Sequence, residues 1–576
     1  MLFNILIFIL VLSVLIFFHE LGHYAAAKAC GIYVDQFSLG MPPRVAGIRL
    51  GETDYCIGLL PIGGYVKMAG QEDVPLSEEE RVSEFGHVPE DRWYSSKPVW
   101  QRAIVIAAGP CMNVVLAVLL YIVMFATPAQ WPEAKVDNRI GAIKTEAPAA
   151  TAPLYQIEPG EEAWSYKGEP DARGWQPGDR IIEINGREVS GINDIAMEAA
   201  LGGGEILDVH LARAMPDGTV VHFMSPIEPK VVNDQEPAQF GVAPFMSALI
   251  DSVEPGMPAA EAGIQPGDII ERLDGKQVDR LTLAERVSKT PGGEAVQLDV
   301  RRDGSLESLS LKPETVGSFD LSYGEPPDVS DPQAYTGPPF IYGPSSEAGM
   351  ETELRPKDRI VAVRKAGMDA PELPAGATVT VDELRELERE NPGAQFVFTV
   401  ERPAVLLGLI QRAERLEIPV NARPIQNLGI VMGERTVTYR MPIAKAVPES
   451  FVQVKRDLGR MWQTIHKLAT GGLSVKALGG PVMIFQATAG AARQGPSWLL
   501  EITAFISINL FVVNLLPLPV LDGGHLVFLT IEAIRRKPIS MRITQYVQQF
   551  GLLLILFLFV VVTWNDVSRI IMNLMP

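Results

Sequence analysis

"FFHELGHYAAAKACG", Phe17 to Gly31, puts two histidines and a glutamate at the end of an apolar run that starts at the first residues. His19 and His23 are four apart, so on a helix they share one face, with Glu20 beside them. HExxH is a metal pattern: two imidazoles suited to zinc and a carboxylate next to the water that the ion activates. The same pentapeptide arises in ordinary helices, but here it lies in a span. Ionisable groups there are costly and face a protein interior or a water-filled cavity.

Three further stretches read as spans: about Ala103 to Ala126, Trp498 to Leu521 and Phe550 to Thr563. The first span lacks the basic start of a cleaved signal peptide, since its first basic residue, Lys28, follows it. Lys28, Arg44, Arg49, Lys67, Arg81, Arg92 and Lys97 lie between spans one and two, and Arg535, Arg536, Lys537 and Arg542 between spans three and four. The positive-inside rule makes both loops cytoplasmic and places the long middle of the chain outside. A net charge of −19 argues against nucleic acid. Three cysteines without CxxC spacing support neither a disulfide framework nor a zinc knuckle.

Between about Pro128 and Arg440 no long apolar run occurs, and a pattern recurs. "WQPGDRIIEINGREV" starts at Trp175, "IQPGDIIERLDGKQV" at Ile264 and "LRPKDRIVAVRKAG" at Leu354, a domain-sized spacing of about ninety residues. Each has a turn, an aspartate and a β-run. The first two resemble the PDZ signature, and the third is a degenerate copy with Lys357 in place of the turn glycine. PDZ domains take extended peptides at a sheet edge; packing over the membrane part to restrict access is the alternative. "GEPPDVSDPQAYTGPP" (Gly324 to Pro339) reads as a linker. Phe451, Val454, Leu458, Met461, Trp462, Ile465 and Leu468 then recur at helical spacing, with Lys455, Arg456, Asp457 and Arg460 largely between them. That is an amphipathic helix at the membrane surface.

A hydrolytic zinc site needs a third protein ligand and an open position. His19 and His23 sit toward the cytoplasmic end of a span that enters from outside. The third span runs the same way and ends in "NLLPLPVLDGGH" (Asn514 to His525), so Asp522 reaches a similar depth. Its prolines and glycines predict broken helix, which is tolerated where it lines a cavity. Asp522 is the expected third ligand; His525 and Glu532 compete but lie further toward the basic loop. Glu20 would then move a proton from the attacking water to a leaving amine.

HELGH, "GPCMN" (Gly109 to Asn113), the tandem PDZ signatures and NLLPLPVLDGGH together resemble the site-2 protease family, peptidase M50. The resemblance covers residues 1 to about 315 and about 425 to the end. The third unit, about 316 to 425, departs from the family's two PDZ units. The resemblance implies a bacterial inner-membrane zinc metalloprotease cutting single-span proteins, such as anti-sigma factors, or remnant signal peptides. It implies Asp522 as zinc ligand. "PIGGYVKMAG" (Pro61 to Gly70) matches the family's membrane-associated β-hairpin, with Gly63, Gly64 and Tyr65 as substrate contacts. Asn514 matches a substrate-contacting asparagine, and Asn509 is a weaker candidate; helix–helix hydrogen bonding is the plain alternative for both.

The expected fold is therefore a multi-pass α-helical membrane protein with four transmembrane helices, a membrane-associated β-hairpin and inserted extracytoplasmic α+β PDZ domains. The expected boundaries are 1–26 for the first helix, 27–100 for a cytoplasmic-side loop with the hairpin near 55–70, and 101–127 for the second helix. The PDZ units fall at 135–238 and 239–315, with the degenerate third at 330–425. An amphipathic segment follows at 445–494, then helices at 495–525 and 546–568. Expected partners are single-span substrates, extended peptides at the PDZ units and the lipid bilayer, with no nucleic acid. A proteolytically silent PDZ scaffold or chaperone is the rival reading, opposed by the intact His19, Glu20, His23 and Asp522.

Overall fold

A computed structural model describes residues 2–71, 85–158, 168–215, 217–231, 238–324, 339–344, 353–367, 379–403, 414–471, 479–537 and 539–574. The chain forms two compact units, one of residues 1–131 and 438–571, the other chiefly 132–232 and 238–437.

The first unit holds the apolar helices. α1 spans Leu2–Ala29. The strands β1 (Val34–Leu50) and β2 (Thr53–Met68) follow, then α2 (Val99–Ala126). After the second unit come α3 (Ile443–Ala469), α4 (Pro481–Gln494), α5 (Pro496–Leu515), α6 (Asp522–Arg535) and α7 (Met541–Leu574). α1, α2, α5 and α7 are long and apolar enough to cross a membrane. The first three pack through apolar side chains: Val11 and Leu15 of α1 meet Leu116 of α2 and Ile506 of α5. Close approach needs small residues. A Cβ on Gly22 would overlap the Ala108 carbonyl and lie 2.9 Å from the Gly109 Cα, so α1 and α2 touch backbone to backbone beside His23.

The hairpin is longer than the sequence suggested, because β1 contributes as much as β2. Residues 36–39 pair with 54–57 on one side and 64–67 on the other, while 46–50 pair with 53–57. The Gly40, Pro42 and Pro43 of β1 read as a turn in isolation; the pairing partner, which the local sequence cannot show, makes them strand. Met41, Val45, Ile48, Leu50, Ile57, Leu59 and Leu60 stand 44–61% exposed on it.

The expected amphipathic segment is two helices, α3 and α4, with 472–478 outside the described residues. The polar side of α3 is not all solvated. Asp457 is 3% exposed and accepts a 2.7 Å hydrogen bond from the Tyr121 hydroxyl of α2, in the same packing face as Ala446, Ser450 and Val454. Phe451 and Trp462 face outward instead. The helix breaks where the prolines and glycines of Asn514 to His525 predict: α5 ends at Leu515, and α6 starts afresh at Asp522.

The second unit has three α+β bodies, each with its own core. The first sheet orders 172–173, 153–157, 220–227, 207–214, 180–184 and 187–188. A separate pair joins Ile140–Ile143 to Val242–Pro244. The second sheet orders 305–311, 296–302, 269–273, 248–253 and 430–432. The third orders 321–324, 340–344, 359–365, 395–402 and 414–421. The units thus do not end where the sequence placed them. Val242–Pro244 pairs back onto the first body, and Ile430–Met432 completes the second from beyond the third. The third body is inserted into the second through the ribbon Glu314–Ser318 with Arg423–Asn427. The expected linker lies outside the described residues apart from its ends.

One ion pair recurs in all three bodies. The aspartate of each turn takes a paired hydrogen bond from an arginine at a strand end: Asp179 from Arg213, Asp268 from Arg302 and Asp358 from Arg402, at 2.6–2.8 Å. Each aspartate also caps its own turn through the backbone N–H of Gln176, Gln265 or Arg355. Lys357 takes the backbone of Gly178 and Gly267, with φ of 78° against 95° and 94°.

Candidate active site

HExxH lies in the second half of α1, where His19 and His23 share a face one turn apart. The geometry brings Asp522 to them. His19 Nε2 lies 3.2 Å from His23 Nε2 and 3.2 Å from one Asp522 carboxylate oxygen; the other oxygen lies 3.6 Å from His23 Nε2. Ligands about 2 Å from a tetrahedral ion stand about 3.3 Å from one another. The triangle has that size, and among the described residues it is the one such histidine, cysteine and carboxylate group.

Local sequence explains each corner. Asp522 is the first residue of α6, and the following glycines let the chain double back. A Cβ on Gly523 would overlap the Leu515 and Leu516 carbonyl oxygens, and one on Gly524 the Leu518 carbonyl. Val520, in the break, holds φ at 81°, a conformation that costs a β-branched residue on the order of 1–3 kcal/mol. His23 is buried, and its Nδ1 donates to the Val105 carbonyl of α2 at 2.8 Å. That bond fixes its proton on Nδ1 and leaves the Nε2 lone pair facing the triangle. Gly109 makes room for the same ring, which a Cβ there would overlap.

The competing ligands are elsewhere. Glu532 forms a paired salt bridge with Arg102, at 2.5 and 3.2 Å. His525 is outside the triangle, its ring edge-on to Phe528. Glu20 is half-buried beside the outer strand of the hairpin, where a Cβ on Gly64 would lie 3.1 Å from the Glu20 Cγ. Gly63 adopts φ 90° next to Met41. The Tyr65 hydroxyl donates to Gln36 Oε1 at 2.9 Å, within the sheet. Asn514 lies in the last turn of α5 before the break, with no side-chain hydrogen bond among the described residues. Asn509 is earlier in α5, and its buried Oδ1 has no partner among them.

GPCMN stood in the sequence without a role. In the structure it lines the triangle: Gly109 faces His23, and the fully buried Asn113 lies 3.2 Å from His19 Nδ1. Its signal was the motif itself, a small residue and an amide one turn apart in an apolar helix.

The family model of peptidase family M50 matches residues 7–558. The chain belongs to peptidase family M50. M50 relatives share its whole length. The regulator of sigma-E protease RseP of Escherichia coli K12 is 28% identical over 575 residues, 98% of each chain. The protease RseP of Yersinia pestis gives the same identity and coverage. A candidate zinc metalloprotease of Neisseria meningitidis serogroup A is 27% identical over 99% of each chain. As an M50 peptidase with four helices long and apolar enough to cross a membrane, the protein is a membrane-embedded zinc metalloprotease of the site-2 type.

Proposed function

We propose that His19, His23 and Asp522 hold the zinc, and that the protein cuts single-span membrane proteins within or near their transmembrane segment. Anti-sigma-factor-type proteins and remnant signal peptides are the substrate classes, by analogy with the relatives named for sigma-E regulation. The observation that carries this reading is the triangle of two imidazoles and a carboxylate inside apolar helices. The donor set fits zinc: two neutral nitrogens and one oxygen, with the His23 tautomer fixed for coordination. Zinc, when bound, polarises the scissile carbonyl and lowers the pKa of water.

The chain's own groups do the rest. Glu20 takes a proton from the attacking water and passes it to the leaving amine. A transmembrane helix must unwind first, because its hydrogen bonds shield the scissile amide. The outer strand at Gly64–Lys67 offers an edge on which the extended segment can pair, and Gly64 brings that edge beside Glu20. Gly63 supplies the bend, Tyr65 braces the strand through Gln36, and Asn514 and Asn509 offer amides to substrate backbone. The exposed apolar side chains of the hairpin suit immersion in lipid.

The three bodies of the second unit act outside the cytoplasm as PDZ domains, in the inner membrane of a bacterium, with the zinc site toward the cytoplasmic side. The first two take extended peptide. The third is a structural insert: Glu388 accepts the backbone N–H of Phe319 and the Tyr323 hydroxyl, both at 2.5 Å, so its own carboxylate fills the turn before its first strand.

The test is Glu20→Gln in the full chain. It should retain zinc and lose cleavage of a single-span reporter; full activity would remove Glu20 from the reaction.

A further inference from the structure

The two imidazoles of the triangle are held differently. Both present Nε2 to the ligand position, so each must carry its proton on Nδ1. His23 donates that proton to the Val105 carbonyl. His19 Nδ1 instead meets the Asn113 side chain, with Nδ2 toward the ring at 3.2 Å. In that orientation an N–H donor faces a nitrogen that must itself donate. Meanwhile Asn113 Oδ1 is buried with no partner among the described residues. Amide nitrogen and oxygen have nearly the same shape, and their assignment follows from the bonds they make. Turning the amide by half a revolution removes the donor–donor clash: Oδ1 then accepts from His19 Nδ1–H, and Nδ2 takes the buried position that Oδ1 held.

We infer that Asn113 is a positioning residue that holds His19, through Oδ1, in the tautomer and orientation needed to bind zinc. This rests on the proposed zinc site. α2 then supplies both acceptors behind the two imidazoles, a backbone carbonyl for His23 and a side-chain amide for His19. The amide sits on a fixed base. Asn113 is 0% exposed, so bulk water does not replace it, and its own carbonyl accepts a 2.8 Å hydrogen bond from Ser507 of α5. Partners of this kind raise the basicity of a metal-binding histidine, and their loss typically weakens metal binding about 10–100-fold.

The measurement is the zinc dissociation constant of the full chain in detergent, by chelator competition, with the visible spectrum of the cobalt-substituted protein as a second readout. Asn113→Leu keeps the side-chain length and removes the acceptor; zinc should bind about 10–100-fold more weakly. Asn113→Asp keeps an acceptor oxygen and should stay within about threefold of wild type, with an unshifted cobalt band. Packing alone would give the opposite order, since leucine fills the space and a buried carboxylate is costly. A leucine variant with wild-type affinity, or an aspartate variant as weak as leucine, overturns the inference. Should the leucine variant fail to fold, the aspartate variant decides alone: wild-type affinity supports the role, and a tenfold loss refutes it. His23→Ala, measured alongside, separates the two levels. If it leaves zinc binding intact the zinc site itself is wrong; if it abolishes binding while Asn113→Leu does not weaken it, only the role of Asn113 is wrong.

Discussion

Replacing Gly109 by alanine adds one methyl group against the His23 ring, and the structure sets the size of the effect. The new Cβ would lie 2.7 Å from His23 Cδ2 and nearer still to Cε1 and Nε2. Carbon atoms at rest stand about 3.5–4.0 Å apart. The ring must therefore retreat by roughly 1 Å, or α1 and α2 must part by as much, and Gly22 shows that their backbones already touch. Either response stretches the 3.2 and 3.6 Å edges that His23 Nε2 makes with His19 and Asp522. Overpacking of this kind costs about 1–3 kcal/mol, and a misplacement of about 1 Å at reacting groups can cost on the order of a hundredfold in rate. The assay is cleavage of a single-span reporter in detergent, with zinc content on the same preparation. Gly490→Ala in α4 is the control, since nothing lies within 4 Å of its added Cβ. Wild-type zinc and wild-type cleavage in Gly109→Ala would refute the placement of His23 against α2.

Lys357→Gly should stabilise the third body. A lysine at φ 78° carries a strain of about 1–2 kcal/mol that glycine lacks, offset by glycine's extra unfolded-state entropy of about 0.5–1 kcal/mol. The expected gain is slower limited proteolysis of residues 353–421, and faster proteolysis would contradict the strain. Asp268→Ala leaves Arg302 and the Gln265 N–H without their partner, and should destabilise the second body by about 2 kcal/mol, modest for a buried pair because Arg302 is a quarter exposed. The Arg302 guanidinium holds the Asp268 carboxyl below the usual aspartate range. Its stabilisation is therefore present above the ordinary aspartate pKa of about 3.9 and lost as pH falls through the lower folded value. Thermal unfolding of Asp268→Asn should be less acid-sensitive than wild type in that range; equal sensitivity would contradict it.

The triangle of His19, His23 and Asp522 was legible because its parts are short-range in sequence or follow from the order of the spans. HExxH sets two imidazoles one helical turn apart, and Asp522 opens the helix that follows the third apolar span. The roles of Gly109 and Asn113 were not legible, because a glycine is informative only once the ring that needs its space is known. The same limit hid half of the hairpin: Val34–Leu50 becomes strand by pairing with Thr53–Met68, against the local sense of its glycine and prolines. It also hid the nesting of the third body. Phe240-Gly241 and Leu428-Gly429 occupy matching places, with φ of 79° and 74° at the glycines and carbonyls accepting from Ala149 and Ala259. Two dipeptides nearly two hundred residues apart identify themselves as equivalent only when each is seen pairing with its own body.

The central claim is that two imidazoles from α1 and one carboxylate from the start of α6 bind a single zinc ion. Zinc-edge X-ray absorption on the purified full chain tests it most directly. The account predicts one zinc per chain with nitrogen and oxygen neighbours only, two of them imidazoles, and loss of that signal in Asp522→Ala. A sulfur neighbour from Cys30, Cys56 or Cys111, or a spectrum unchanged by Asp522→Ala, would contradict it.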